Sequence, residues 1–390
     1  MRTVVIVSAV RTPVGSFNGT LSSLPATKLG SIAIAEALRR AGFTGAEVDE
    51  VIMGNVLSAG LGQAPARQAS LGAGVPQSVG CTTVNKVCGS GLKAVILASQ
   101  AILAGDAQVI VAGGMESMSN APYLLMKARR GYRMGHGELV DSMLKDGLWD
   151  VYNDFHMGEA AELCGETLKI SREEQDQFAV TSYRRALAAH ERGDFKDEIV
   201  PVSIPGNTEE LVAQDEEPGK INFERLTTLR PSFKKNGCVT AGNASSLSDG
   251  AAAVVVMAEE KAKAMGLKPL ARVVAHASFA TDPAWFTTAP SQAISTLLKK
   301  AGRTASDIDL FEINEAFAVC SIAVNRQLEL DPNRVNIKGG AVALGHPIGA
   351  SGARILTTLL HSLEDMNLQS GVASLCIGGG EAVAMLVERT

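Results

Sequence analysis

Between Gly89 and Gly105 lies a stretch, Ser90 to Leu103, whose only charged residue is Lys93. A helix of that composition offers no polar face to water, so it has to be buried on nearly every side. Its neighbours say in what. Thr82–Asn85 before it and Gln108–Ala112 after it have strand length, and Gly105 is a helix stop. Strand, helix, strand in that order implies a mostly parallel sheet covered on both faces. The chain opens the same way. Val4–Val7 reads as a strand, Leu29–Ala41 as an amphipathic helix closed by Gly42, Val51–Met53 as a short strand, and Ala64–Gly72 as a helix ahead of Pro76.

A second α/β unit begins after Pro269. Arg272–Ser278 is a strand, Ser291–Ala301 a helix, and Ile308–Ile313 a strand leading into Asn314-Glu315-Ala316-Phe317 and a helix. Gly349–Leu363 is helical, and Val372–Ile377 with Ala382–Val387 forms a closing pair about Gly378-Gly379-Gly380. The units look like a weak internal repeat. Gly89-Ser90-Gly91 opens a helix that leads to a strand and Gly113-Gly114-Met115-Glu116; Gly349-Ala350-Ser351-Gly352 opens one that leads to a strand and Gly379-Gly380-Glu381. Residues 117–249 differ in character. They are richer in Met, Arg, Glu and Asp, with little strand periodicity, as an inserted lobe of helix and loop would be. The expected division is 1–116 with 250–268, an insert at 117–249, and 269–390.

Composition narrows the class. Gly is frequent, at 39 of 390 residues, and aromatics are scarce at 4%, which suits helices packed closely on a sheet. The net charge is −5 and no Lys/Arg block stands out, which argues against a nucleic-acid partner. No segment reads as a membrane span or a signal peptide, and Glu388-Arg389-Thr390 matches no targeting tripeptide, so a cytoplasmic protein is expected. The six cysteines include no CxxC pair, so no zinc site is expected, and Cys81, Cys164, Cys238 and Cys320 read as small buried hydrophobes.

Three segments place one reactive side chain on a tight turn among glycines. Cys88 precedes Gly89-Ser90-Gly91 at the start of the buried helix, where free N–H groups and the helix dipole favour thiolate and so a lowered thiol pKa. On its own, a cysteine there is as well explained by packing. His346, between Gly345 and Pro347-Ile348-Gly349, is held at a helix entrance and can take and return the Cys88 proton. Cys376 ends an apolar strand before Gly378, as a proton shuttle for a weak carbon acid or as a core residue, and the Gly378 N–H can join that of Cys88 in an oxyanion hole. Asn314 at a strand end either orients a water or His346, or caps the next helix.

These residues resemble the thiolases, and the resemblance spans the chain. Val84-Asn85-Lys86-Val87-Cys88-Gly89-Ser90-Gly91-Leu92-Lys93-Ala94 looks like the family's acyl-enzyme signature. Asn314-Glu315-Ala316-Phe317-Ala318, Gly339 to Gly349 and Cys376-Ile377-Gly378-Gly379-Gly380 look like its other three blocks, in order. The resemblance implies the thiolase fold: two βαβαβαββ units related by a pseudo-twofold in a five-layer α-β-α-β-α stack, with a loop domain in the first. It implies ping-pong chemistry on coenzyme A thioesters. Cys88 would carry the acyl group, His346 would activate it, and Cys376 would move the proton of the carbon acid. One oxyanion hole would use His346 and a water on Asn314; the other would use the N–H groups of Cys88 and Gly378.

The insert is similar to that of the short-chain members, which act on acetoacetyl-CoA. Asp154-Phe155-His156-Met157-Gly158 matches their His-Met pair, and Met157 with Phe317 would narrow the acyl pocket unless Met157 is plain core packing. Thr240 to Ser245 matches the pantetheine segment, which implies Ser245 and Ala241 as coenzyme A contacts, with Leu148 on a covering loop, Ala316 beside Phe317, and Lys220 as a candidate for the phosphate end. Ser246 and Ser248 depart from the commoner Gly and Asn. Met126–Met143 matches a tetramerisation loop, so a homotetramer is implied. The implied partners are acetyl-CoA, acetoacetyl-CoA and coenzyme A as substrates and products, with no separate cofactor. A broad-range 3-ketoacyl-CoA thiolase of fatty-acid breakdown is the alternative.

Overall fold

In the computed structural model, which describes residues 2–204 and 206–390, the first unit runs β1 (Val4–Arg11), α1 (Ala26–Ala41), β2 (Glu50–Gly54), α2 (Pro65–Gly72), β3 (Gly80–Val84), α3 (Ser90–Ala104) and β4 (Val109–Ser117). A long excursion follows, carrying α4 (Met157–Leu168) and α5 (Arg172–Arg192), before β5 (Ser248–Ala258) returns to the sheet. The second unit runs β6 (Ala271–Ala280), α6 (Ala289–Ala301), β7 (Leu310–Ile313), α7 (Ala318–Gln327), α8 (Ser351–Asp365), β8 (Ser370–Ile377) and β9 (Glu381–Arg389). Gly42 and Gly105 close α1 and α3 in the left-handed conformation, at φ 73° and 93°.

The strands hydrogen-bond in the order β7-β8-β9-β6-β1-β5-β4-β2-β3, with a short strand at Gly15–Ser16 beside β5. That path holds one pattern twice. From β1, the pairings to β5, β4 and β2 are antiparallel, antiparallel and parallel. From β6, the pairings to β9, β8 and β7 are the same. Among the described residues, the two half-sheets pair where Val5 faces Arg272 and Ile6 faces Ala271. The repeat is therefore a property of topology and not only of motif order.

Side-chain alternation explains the layers. On β1, β4 and β5 the residues Ile6, Ile110, Val254 and Val256 turn one way; on β8 and β9 so do Ala373, Leu375, Val383 and Met385. Both sets close on α3 and α8, which form the middle layer. The opposite face of the first half, with Val5, Val111 and Val255, is covered by α1 and α2. That of the second half, with Phe311, Val372 and Ala384, is covered by α6. Five layers result, and the sheet is buried on both faces, which is why its strands read as unbroken apolar runs. Over Val87–Ala104 the chain has the length and mean hydropathy, 1.6, of a membrane span, contrary to the sequence reading, but α3 spends that apolar surface between the half-sheets.

The two middle helices touch backbone to backbone. A Cβ on Gly352 would stand 2.2 Å from Leu92 N, and one on Gly91 2.8 Å from Ala353 N. This contact lays the N-termini of α3 and α8 side by side and so brings together two turns distant in sequence. In the second half, β8 connects to β9 through Gly378-Gly379-Gly380; in the first half, residues 118–247 occupy the same place between β4 and β5. The excursion is less purely helical than its composition suggests, because it holds three two-stranded ribbons. Two of them, Tyr123–Leu124 with Val140–Asp141 and Trp149–Asp150 with Phe155–His156, have strands too short to leave alternation in a sequence.

Candidate active site

Cys88 stands on a strained turn. Val87 before it has φ 45°, a left-handed value that a β-branched residue adopts only under constraint, at a cost on the order of 1–3 kcal/mol. Ser90 supplies the constraint: its hydroxyl accepts Lys86 N–H at 2.8 Å and donates to Val87 O at 2.6 Å. The thiol is half-buried at the wall of a cavity of about 520 Å³. Burial pushes it up to about 12, helped by the Cys376 sulfur, against the N–H groups of Gly378 and of Cys88 itself, which hydrogen-bond its sulfur and pull the other way. The expectation of a lowered thiol pKa is thus overturned. Helix-end N–H groups are present, but desolvation of the sulfur outweighs them. Alkylation of Cys88 by iodoacetamide is expected to accelerate steadily from about pH 6 to about pH 9, because a thiol raised above its ordinary value gains thiolate across that whole range. A plateau already reached below neutrality would contradict this.

His346 is buried, and its ring is fixed at both nitrogens. The Ser351 hydroxyl donates to Pro347 O at 2.9 Å, which leaves its lone pair to accept Nδ1–H at 2.6 Å. That bonding assigns the proton to Nδ1 and leaves Nε2 with a lone pair, 3.5 Å from Asn314 Nδ2. Burial, and then the Arg354 charge, hold the imidazole down to about 3, so it is neutral and able to accept a proton throughout the working range. The two serines that depart from the family pattern steady this turn. Ser246 O accepts His346 N–H at 3.1 Å, and Ser248 Oγ donates to the same carbonyl at 3.0 Å.

Cys376 lies at the end of β8, buried in a cluster with Met157, Ala316 and Phe317. Asn314 follows β7 directly and is anchored by its backbone N–H to Ser374 O at 3.0 Å; its Oδ1 is buried with no hydrogen-bond partner among the described residues. Neither residue lines the main cavity, where Cys88, His346 and Gly378 do.

The cavity wall also contains Leu148, His156, Met157, Ala241, Ser245, Ala316 and Phe317. His156 caps α4: its Nδ1 accepts Gly158 N–H at 2.9 Å, so its ring proton belongs to Nε2. Its ring stacks on Phe233 at 4.7 Å, Phe233 meets Phe317 edge-on at 6.1 Å, and Phe286 meets Phe317 at 6.4 Å. Ser245 Oγ donates to Ala316 O at 2.9 Å and ties the insert to the Phe317 segment. Lys220 is not brought into this cavity. Its ammonium bonds Ser16 Oγ and Glu216 Oε1, both at 2.7 Å, and it borders a smaller cleft of about 210 Å³ that shares Ala241 and Glu217 with the main one. Sequence reasoning missed Phe233 and Phe286, for which the scarcity of aromatics was the one available signal, and Ser351, which the glycine motif around it concealed.

The geometry meets its relatives here. Residues 4–260 match the model of the thiolase N-terminal domain and residues 267–389 that of the thiolase C-terminal domain. The chain is 57% identical to acetyl-CoA acetyltransferase 2 of Arabidopsis thaliana over 99% of its own length and 97% of the relative's. It is 54% identical to acetyl-CoA acetyltransferase of Pseudomonas aeruginosa over the whole of both chains. The crystal structure of the Acat5 thiolase from Ascaris suum in complex with coenzyme A superposes with a TM-score of 0.95 at 44% identity, covering all of both chains. With both domain models matched over nearly its full length and the five-layer stack in place, the chain belongs to the thiolase family of acyltransferases.

Proposed function

We propose that this chain is an acetyl-CoA C-acetyltransferase, condensing two acetyl-CoA into acetoacetyl-CoA and coenzyme A, reversibly. The observation that carries the reading is a neutral imidazole and a protonated thiol on adjoining turns at one cavity wall, with Met157 and three phenylalanines closing its acyl end. His346 Nε2 takes the Cys88 proton as sulfur attacks the thioester carbonyl, and coenzyme A leaves with that proton. Cys376, in its thiolate form, then takes an α-proton from the second acetyl-CoA, the carbanion attacks the acetyl group on Cys88, and the Cys88 thiolate so released recovers its proton from Cys376, which closes the cycle. The N–H groups of Cys88 and Gly378 suit the oxygen of the acyl-enzyme, and a water on Asn314 suits that of the enolate; His346, whose Nε2 carries a lone pair, accepts protons and does not donate there.

Ser245 and Ala241 are assigned to the pantetheine arm, Leu148 to the loop that covers it, His156 with Met157 to the acyl end, and Lys220, on the adjoining cleft, to the far end of coenzyme A. The relatives named acetyl-CoA acetyltransferase support the substrate assignment. Exposed Tyr123, Leu125, Met126, Met134 and Leu139 on the loop near 126–143 support a homotetramer.

Thiolysis of 3-ketoacyl-CoA substrates of increasing chain length tests the reading. The ratio kcat/KM is expected to fall steeply beyond about four or five carbons, because overfilling a packed pocket costs on the order of 1–3 kcal/mol. A flat or rising series would make the chain a broad-range degradative thiolase and return Met157 to core packing.

A further inference from the structure

At the end of β4, the carboxyl of Glu116 is wholly enclosed and takes four N–H donors from two other segments. Oε1 accepts from Asn55 Nδ2 at 2.8 Å and Leu57 N at 3.2 Å; Oε2 accepts from Val56 N and Gly349 N, both at 3.0 Å. Four donors use the full accepting capacity of an ionised carboxylate. Gly349 closes the His346 turn, and the loop after β2 packs Val56 and Leu57 against Ile348 of that same turn, with Cys88 beside them. One side chain therefore joins β4, the loop after β2 and the turn that carries His346. A side chain at 349 is excluded by this contact, since a Cβ there would stand 2.6 Å from Glu116 Oε2.

The strand register adds an independent point. Gly54 pairs with Gly114 in the first half as Ile313 pairs with Ser374 in the second. One residue beyond the first member, Asn55 corresponds to Asn314; two beyond the second, Glu116 corresponds to Cys376. Each half thus carries an asparagine and a proton-bearing side chain at the same two places. In the second half they are assigned to the reaction. In the first they bond to each other and hold the turn opposite. Burial pushes the Glu116 carboxyl up to about 7, against the N–H groups of Val56, Leu57 and Gly349, which favour its charged form.

We infer that Glu116 is a positioning residue, which acts by clamping the His346–Gly349 turn to the loop after β2 so that His346 meets Cys88. It is absent from the cavity wall, and beyond its hydrogen bonds its charge adds a little to what raises the Cys88 thiol, after burial and the Cys376 sulfur. The inference rests on the roles proposed above for Cys88 and His346.

Glu116→Gln keeps the size of the side chain but turns one acceptor into a donor aimed at two N–H groups. Its kcat for acetoacetyl-CoA thiolysis is expected to fall roughly 10- to 100-fold, with KM for both substrates within about threefold of the unaltered protein. Iodoacetamide labelling of Cys88 should slow, even though loss of the Glu116 charge alone would lower the thiol pKa and speed it. Glu116→Asp retains four accepting sites and should be at least about threefold faster than the Gln variant. Asn55→Ala, which removes a single donor, gives the same kcat-against-KM split on a smaller scale and serves if the Gln variant does not fold. A Gln variant (or, failing that, Asn55→Ala) with undiminished kcat, a loss carried by KM alone, or an Asp variant no better than Gln would overturn the inference. Labelling of Cys88 needs no thioester and reads the clamp whatever the substrate is. Failure of the unaltered chain to cleave acetoacetyl-CoA would count against the proposed function alone.

Discussion

Cys88→Ala is expected to abolish turnover, a loss on the order of 10⁴-fold or more, because it removes the atom that carries the acyl group. His346→Ala should lose roughly 10²- to 10⁴-fold, the range for a positioned general base. The informative variant is the double one. Cys88 rests as a thiol raised to about 12 and His346 as a neutral base held down to about 3, so neither side chain is reactive without the other. Residues that act as a unit are not additive, and the double variant should be no slower than Cys88→Ala alone. Acetoacetyl-CoA thiolysis, with intact mass after acetyl-CoA to detect an acetyl adduct, measures all three. An adduct persisting in Cys88→Ala would move the nucleophile elsewhere, and fully multiplicative losses would separate the two roles.

Gly352→Ala should destabilise the fold, because overpacking costs about 1–3 kcal/mol or more, even though alanine is the better helix former by about 1 kcal/mol. The propensity gain is local, whereas the added methyl would lie 2.2 Å from Leu92 N, on a helix backbone that has no rotamer to yield. The two middle helices have to separate, and the turns of Cys88 and His346 separate with them. A lowered unfolding midpoint together with a lowered kcat is the expected pair of results. Unchanged stability would mean that α3 and α8 have room to spread, and that their contact does not set the site.

What could be read in the chain depended on how far apart the determinants lie. The burial of α3 follows from Ser90–Leu103 itself, and the tight turns at Cys88, His346 and Gly378 follow from adjacent glycines. The thiol pKa did not follow, because the helix-end N–H groups are encoded next to Cys88, whereas the burial that outweighs them is built by several separate segments, including Val56, Met118, Met143 and Ile348. Glu116 was quoted only as part of a repeat, since its partners are Asn55, Val56, Leu57 and Gly349 and nothing near it in sequence hints at them. Phe233 and Phe286 meet Phe317 from two different lobes, and no local pattern marks either. Lys220 was singled out by the family resemblance of its segment alone, and its charge is met by Glu216.

The order of strands in the sheet also bears on how the molecule is made. β5 lies between β1 and β4, and Val4 pairs with Ala258, so the interior strand of the first half leaves the ribosome after both of its neighbours. At about 5–20 residues per second, β1 waits roughly ten to fifty seconds for its partner. Throughout that interval β1 lacks its partner, and from its own synthesis onward β4 likewise presents a bare edge of apolar residues. The nascent chain therefore carries both unpaired edges while the lobe of residues 118–247 is being synthesised, and that stretch is the window in which edge-to-edge association competes with folding.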